Sequence, residues 1–528
     1  MRNFQFAGRS TVHACNAMVA TSHPQASLAA IEMLKAGGTA ADAAVAACAL
    51  LGVIEPQSTG IGGDCFALYM PKGQDRIVAY NGSGRAPRAA EAAWYLDHGI
   101  AAIPLTSPHA VTVPGSIDAW ATILRDHGRL GLDRVLQPAI EAAEQGYVVA
   151  PRIAFDWHNG LAKLRKGVNT ARYLLLNNEA PVAGDVIRQP ELAETLRLIA
   201  RQGPDGFYKG AVAEDIVETL RGIGGLHTLE DFAAHSTEAT TPVGTSYRGY
   251  EVWQCPPNGP GITMLVMLNI LSHFDLTQYA PLSPERLHLE AEAARAAYMM
   301  REVHIGDPQH VDVDVVRILA KEFAAEFAGK IRIDGLLDLP KVSPPMNPST
   351  IYCTVVDKDR NACSFINSIA HSFGAAIVSN KTGVLLQNRG AGFRVQPDHP
   401  NCIAPGKRPL HTIIPGLATR EGRAVMPFGV MGGQYQPVGQ VHVLTNVVDY
   451  GLDLQEAIDQ PRALHYEGIY QMEEGIPEST VAALQKIGHR TSRVSVPWGG
   501  GQGIWIDWER GALIGASDPR KDGCALGY

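Results

Sequence analysis

Leu339-Pro340-Lys341-Val342-Ser343-Pro344-Pro345-Met346-Asn347-Pro348-Ser349 runs directly into Thr350-Ile351-Tyr352-Cys353-Thr354-Val355-Val356-Asp357. The first part holds four prolines, Pro340, Pro344, Pro345 and Pro348. Proline fixes φ and removes a backbone donor, so this part reads as an exposed, irregular linker. The second part is dense in β-branched and aromatic side chains. Ile351–Val356 reads as a strand, Asp357–Asn361 as a polar turn and Ala362–Ile366 as a second strand. The pattern changes at Ser349-Thr350.

Downstream of that junction the chain stays rich in strands. Gly383–Leu386 and Ala424–Val430 read as strands, and Gly503–Asp507 with Ala512–Ile514 as a hairpin turned by Glu509-Arg510-Gly511. A helix is expected over Val438–Tyr450, with Pro437 at its start and Gly451 at its end. Upstream, helices dominate. Leu28–Ala36 is expected as a helix opened by Ser27 and stopped by Gly37-Gly38. Thr39 stands three residues before Asp42, a capping pair for a helix over Ala40–Leu51 that is small on every face and therefore buried. Ser116 to Leu229 reads as mostly helical, Leu192–Arg201 most clearly. Leu265–Phe274 and Pro284–Glu302 are further helices. Strands are expected at Cys65–Met70, Val111–Gly115 and Tyr247–Gln254.

The chain has 528 residues, 46% of them hydrophobic and 19% charged, a globular composition able to fill a large core. The formal net charge is −8 and no basic stripe stands out, which disfavours a nucleic-acid partner. A small anionic substrate remains compatible, because one or two arginines suffice to bind it. The eight cysteines contain no CxxC pair and read as scattered buried thiols in a reducing compartment. Whether Cys353 and Cys363 face each other is left open. Met1 to Ala20 lacks a signal-peptide pattern and no apolar run reaches membrane-spanning length, so a soluble cytoplasmic protein is expected.

Seven segments in order carry a family resemblance. They are Gly37-Gly38-Thr39-Ala40-Ala41-Asp42-Ala43, Glu55-Pro56 through Gly60-Ile61-Gly62-Gly63-Asp64, and Val113-Pro114-Gly115. Gly206-Phe207-Tyr208, Lys407-Arg408-Pro409-Leu410, Gly432-Gly433 and Gly515-Ala516-Ser517-Asp518-Pro519-Arg520 follow. Together they resemble the gamma-glutamyltransferase family of N-terminal nucleophile hydrolases. The resemblance implies an α+β fold, the four-layer αββα sandwich, and a precursor that cuts itself before a threonine heading a strand. Here that position is Thr350, with Ser349 on the other side of the cut. The products would be residues 1–349 and 350–528, wrapped together as one interwoven unit. A hydroxyl is a poor nucleophile without an adjacent base, and a freed Thr350 α-amino group, with a reference pKa of about 7.7–8.0, would supply one. By residue type alone Thr350 is an ordinary strand threonine; the junction and the ordered motifs decide otherwise.

The same resemblance makes the backbone N–H groups of Gly432 and Gly433 an oxyanion hole, since glycine leaves the approach open and N–H groups at a helix start are positive. Ser368 matches a hydroxyl that bonds the nucleophile. A gamma-glutamyl substrate is a zwitterion, and its anchors depart here. Gly392 stands where the family has an amino-binding aspartate, Arg389 where it has an amide, and Ala370 where it has an asparagine. His411-Thr412 replace paired serines, and Ser83 replaces the carboxylate arginine, with Arg85 two residues on. The connection from Phe393 to Lys407 is short, so the lid of some members is expected to be missing. A cation at Arg389 would repel an ammonium. The expected substrate is therefore an acid amide without an α-amino group, as in the oxamate amidohydrolase branch. Arg85 or Arg389 would hold its carboxylate, with His411 and Thr412 close by.

Three rivals stand beside oxamate hydrolysis: a glutathione hydrolase or transferase, an acylase for glutaryl or cephalosporin-type amides, and a binding-only relative that does not cut itself. No cofactor and no metal are expected. His304, Asp307 and His310 match metal-ligand types without a ligand motif. Gly499-Gly500-Gly501-Gln502-Gly503 lacks the order of a dinucleotide site and reads as a loop near the pocket.

Overall fold

The computed structural model describes residue 5, residues 8–340 and residues 350–528. Two seven-stranded sheets form its centre. The first, called here the threonine sheet, runs Cys524–Gly527, Met18–Thr21, Ile351–Val356, Ala362–Ser368, Asp64–Met70, Val78–Gly82, Glu238–Thr240. The second, the glycine sheet, runs Val12–Ala14, Ala512–Ser517, Gly500–Asp507, Arg423–Met431, Gly416–Arg420, Tyr250–Gln254, Val243–Tyr247. Every neighbouring pair in both sheets is antiparallel. Each sheet mixes strands from before and after the Pro-rich stretch.

Alternation along Ile351–Val356 sets the layers. Tyr352 and Val356 enter the core between the sheets, with Phe66, Leu417 and Ile504. Ile351, Cys353 and Val355 point the other way, into helices that include Pro24–Lys35 and Ala40–Ile54. Beyond the glycine sheet, Phe428 and Val430 pack on Gly261–Leu271, Pro284–His304 and Gln436–Val448. The result is the αββα sandwich. Gly429 sits where a Cβ would lie 2.4 Å from the Tyr352 ring, so a larger residue there would push the sheets apart.

The capping pair is present. The Thr39 side chain accepts from the Asp42 backbone, and Asp42 Oδ2 accepts from Thr39 N at 2.7 Å. Asp42 also accepts from Arg129 N and Leu130 N, so the cap ties a distant loop as well. The Ile351–Val356 and Ala362–Ser368 hairpin matches the expectation. Other elements differ. The first helix begins at Pro24, because His23 caps it through Nδ1 and proline suits the first turn. Val111–Gly115 forms no strand; Val113 N bonds Arg85 O and Gly115 N bonds Gly63 O, contacts between loops. Tyr247–Gln254 divides into a hairpin, Val243–Tyr247 and Tyr250–Gln254, at Arg248-Gly249, both with positive φ. Gly383–Leu386 makes isolated bridges only. Gly500–Gln502, expected as loop, belong to the interior strand Gly500–Asp507, which starts three residues before the expected Gly503.

All eight cysteines are free, most are buried, and Cys15 is exposed. Cys353 lies opposite Phe365 and Cys363 opposite Val355, so the two thiols are diagonal neighbours. The Cys524–Gly527 strand pairs with Met18–Thr21, and the last carbonyl, Tyr528 O, accepts from Asn16 N at 2.8 Å. Among the described residues no helix is long and apolar enough to cross a membrane. Ser349 and most of the expected linker lie outside the described residues.

Candidate active site

Thr350 immediately precedes Ile351–Val356, an interior strand of the threonine sheet, and is 2% exposed. The Ile351↔Asn367 pairing brings Thr350 opposite Ser368, and their hydroxyl oxygens lie 3.1 Å apart. Ser368 Oγ also accepts the Ala370 N–H at 2.9 Å. Gly63 explains part of the Gly60–Gly63 motif: a Cβ there would lie 2.4 Å from Ser368 O. Only a bare backbone passes that close beneath the serine.

Gly432 and Gly433 end the Arg423–Met431 strand and lead into the Gln436–Val448 helix. Both have positive φ, +118° and +57°, and a Cβ on Gly432 would lie 2.8 Å from Gly499 Cα. Helix Pro284–His304 braces this turn from behind. Tyr298 OH donates to Gln434 O, and Arg301 Nη1 donates to Gln434 Oε1 at 2.5 Å. N–H groups of a glycine turn before a helix are suited to a developing negative charge.

One cavity opens at Thr350 and Gly432, and a second is lined by Ala370 and Gln434, just beyond Ser368 and Gly433 in sequence. The larger, about 450 Å³, is a cleft lined by Thr350, Gly432, Ser372, Arg152, Asp156, Lys521, Trp498 and Gly499, with the 493–497 loop at its side. The smaller, about 30 Å³, is lined by Arg389, His411, Thr412, Ala370, Gly392 and Gln434 among others. Three of the four expected substrate-side residues thus share one chamber. The exception is Arg85. It donates to Gly406 O at 3.0 Å, pairs with Glu238 at 3.3 Å and lines neither cavity. Its neighbour Arg408, in the Lys-Arg-Pro-Leu motif, holds the same Glu238 at 2.6 Å and Ser83 O at 3.1 Å.

Arg389 is 3% exposed. Its Nη1 donates to Thr412 Oγ1 at 2.6 Å, while Nε and Nη2 have no hydrogen-bond partner among the described residues. Burial brings its pKa down to about 10, opposed by the charge of Asp64; the guanidinium stays charged. Asp64 accepts from Gly84 N, Gly115 N and Gln387 Nε2 through Oδ1. Its Oδ2 lies 3.0 Å from His411 Nε2. Burial acts to raise the Asp64 pKa, but the His411 bond, the nearby charges and the Gln387 bond outweigh it and lower it. Burial and then the Arg389 charge bring His411 down to about 4, against the pull of Asp64. The pair is therefore carboxylate and neutral imidazole, with His411 Nε2–H donating. Glu302, which also lines the chamber, is bonded to Arg301 and Arg394.

The cleft residues Arg152, Asp156, Ser372 and Lys521 were not anticipated from sequence. Ser372 follows Ala370 closely and Lys521 follows Asp518-Pro519-Arg520, so both sit beside quoted motifs; Arg152 and Asp156 carry no such signal. Asp307 accepts from Arg408 N at 2.8 Å and lies 3.4 Å from His310, a braced turn. Metal-type donors do gather elsewhere, at His288, Glu292 and His489, within 4.8 Å of one another. Glu292 is already bound there by Arg295 and Leu337 N, and that guanidinium opposes a cation.

Comparison with known proteins agrees with this geometry. The family model described as Gamma-glutamyltranspeptidase matches residues 26–528. The Bacillus subtilis (strain 168) glutathione hydrolase-like YwrD proenzyme is 38% identical over 521 residues, covering 97% of this chain and 98% of the relative. The oxamate amidohydrolase proenzyme of Klebsiella pneumoniae subsp. pneumoniae is 34% identical, with 97% and 98% covered. The crystal structure of cephalosporin acylase from Bacillus halodurans superimposes with a TM-score of 0.93 at 36% identity, covering 100% of this chain and 99% of that one. The chain belongs to the gamma-glutamyltranspeptidase family and is an autoprocessed N-terminal nucleophile amidohydrolase, made as a proenzyme with a threonine nucleophile.

Proposed function

We propose that Thr350 is that nucleophile, freed by a cut after Ser349 that yields residues 1–349 and 350–528, and that its substrate is a small anionic amide, best represented by oxamate. The freed α-amino group takes the proton from Oγ as Oγ attacks the scissile carbonyl. The carbonyl oxygen becomes an oxyanion held by the Gly432 and Gly433 N–H groups. The C–N bond then breaks, and the amine leaves with a proton from the α-amino group. Water, activated by the same amine, opens the Thr350 ester and releases the acid. With oxamate and water the products are oxalate and ammonia.

One observation carries the substrate reading: the buried Arg389 presents two unpartnered N–H groups, Nε and Nη2, in a 30 Å³ chamber. That edge of a guanidinium matches a carboxylate in a bidentate pair. Gly392 offers no counter-ion for an ammonium, and Glu302 is committed to arginines. These features count against a gamma-glutamyl substrate, although the 38% identical relative is named glutathione hydrolase-like. A second reading, an acylase for larger amides, is favoured by the open 450 Å³ cleft at Thr350.

Ammonia release from oxamate, glutamine and glutathione by the cleaved enzyme tests the choice. Oxamate is expected to turn over fastest. Preference for glutamine or glutathione would overturn the reading in favour of a glutamyl enzyme, and turnover of glutaryl amides alone would favour the acylase.

A further inference from the structure

The segment Ala370-His371-Ser372-Phe373-Gly374-Ala375-Ala376 leaves the Ala362–Ser368 strand in a strained path. Ala370, Phe373, Gly374 and Ala376 have φ of +75°, +57°, +52° and +54°. Left-handed backbone is uncommon for residues with a Cβ, and persists only where the surroundings over-determine it. The segment is also a wall. Ala370 and His371 line the small chamber, and Ser372 lines the cleft at Thr350.

What holds the wall comes from outside both cavities. On the helix Pro151–Leu164, Trp157, Gly160 and Lys163 fall at successive i, i+3 spacing, on one face. The Trp157 ring lies 5.9 Å from the Phe373 ring. Gly160 leaves room for Phe373, since a Cβ there would lie 2.5 Å from its ring. Lys163 Nζ donates to Ser372 O at 2.6 Å and to Gly374 O at 2.5 Å. Bonds from a charged donor are stronger than neutral ones, and these two bracket Phe373. Burial lowers the lysine pKa to about 8. The helix precedes the Pro-rich stretch and the wall follows it, so one part of the chain shapes the pocket of the other.

We propose that Lys163 is a positioning residue that fixes the 370–376 segment where chamber and cleft adjoin, and so sets which acyl groups Thr350 accepts. The substrate half of this statement rests on the reading of the chamber as the carboxylate site.

The test uses the cleaved enzyme with Lys163→Met, Lys163→Arg and Gly160→Ala. Hydrogen exchange across 372–376 reads the segment directly, and steady-state kinetics compare oxamate with glutaramate, a longer monoamide. In Lys163→Met, exchange at Ala375 and Ala376 is expected to quicken about tenfold or more. KM for oxamate is expected to rise about tenfold with little change in kcat, and the preference for oxamate over glutaramate to fall. Lys163→Arg should restore most of both effects. Gly160→Ala, which displaces Phe373 with the lysine intact, should reproduce them.

Unchanged exchange in Lys163→Met overturns the proposal, whatever the kinetics. So does a loss of kcat equal for both substrates with no rescue by arginine, the mark of a merely structural residue. If the wild-type enzyme releases ammonia from neither amide, the chamber reading fails instead, and the exchange data still decide whether Lys163 holds the segment.

Discussion

The hydroxyl oxygens of Thr350 and Ser368 lie 3.1 Å apart at the ends of paired strands, and Ser368 Oγ also takes the Ala370 N–H. Ser368 thus links Thr350 to the 370–376 wall. Replacing it by alanine removes both bonds; the one to Thr350, of about 0.5–1.5 kcal/mol net, should slow self-cleavage and turnover about 2- to 10-fold. Appearance of the two fragments on a gel, timed after refolding, gives the first rate; ammonia release gives the second.

Thr350→Ala should stay a single chain. Intact-protein mass is expected to show two fragments meeting at Ser349-Thr350 for the native sequence and one uncut mass for the variant. An uncut native chain under folding conditions would leave the binding-only relative as the better account of Thr350.

Arg389→Met should cost oxamate hydrolysis about 100-fold in kcat/KM, since two charge-assisted bonds of about 1.5–3 kcal/mol each are at stake and some are replaced by water. Arg389→Lys should recover little, because an ammonium lacks the planar fork. Oxalate inhibition should weaken in parallel. If Arg389→Met leaves KM and oxalate inhibition unchanged, the carboxylate sits elsewhere.

The His411–Asp64 pair makes a pH prediction. Burial holds the His411 pKa down at about 4 in the fold, against the ordinary 6.5 of an exposed imidazole, so its contribution to stability is whole above pH 6.5 and is lost as pH falls from there toward 4. Between pH 7.5 and pH 5 the loss is on the order of 2 kcal/mol. Asp64 is lowered below its usual value and stays ionised across this window. Other buried histidines add slopes of the same sign, so the informative quantity is a difference. Urea midpoints of the wild type and His411→Gln should converge as pH falls from 7.5 to 5, and a constant gap between them would mean that His411 is not the group titrating.

Local signals were legible in the sequence, and distant pairings were not. The Thr39–Asp42 cap, the hairpin after Thr350 and the glycine turn at Gly432 are short patterns whose physics is complete within a few residues. The choice between Arg85 and Arg389 is different. Both are arginines in glycine-rich surroundings, and what separates them is Glu238, 153 residues from Arg85, and the lack, among the described residues, of any such acid bonded to the Nε–Nη2 edge of Arg389. The Cys524–Gly527 strand was missed for the same reason, because its partner lies at Met18–Thr21. Val111–Gly115 looked like a strand because its residues suit an extended path, which they take without a ladder.

The strand order has one more consequence. Met18–Thr21 lies between Cys524–Gly527 and the strand that Thr350 heads, and Asn16 N reaches Tyr528 O at 2.8 Å. Met18–Thr21 and Cys524–Gly527, far apart in sequence, therefore lie side by side in the same sheet as the residue expected to become a new end. A circularly permuted gene follows from this adjacency: a glycine linker joins Tyr528 to the segment ahead of Val12, and translation starts at Thr350 after an initiator methionine that the cell trims. Such a chain would carry its threonine amine from birth, which separates the chemistry of maturation from the chemistry of turnover.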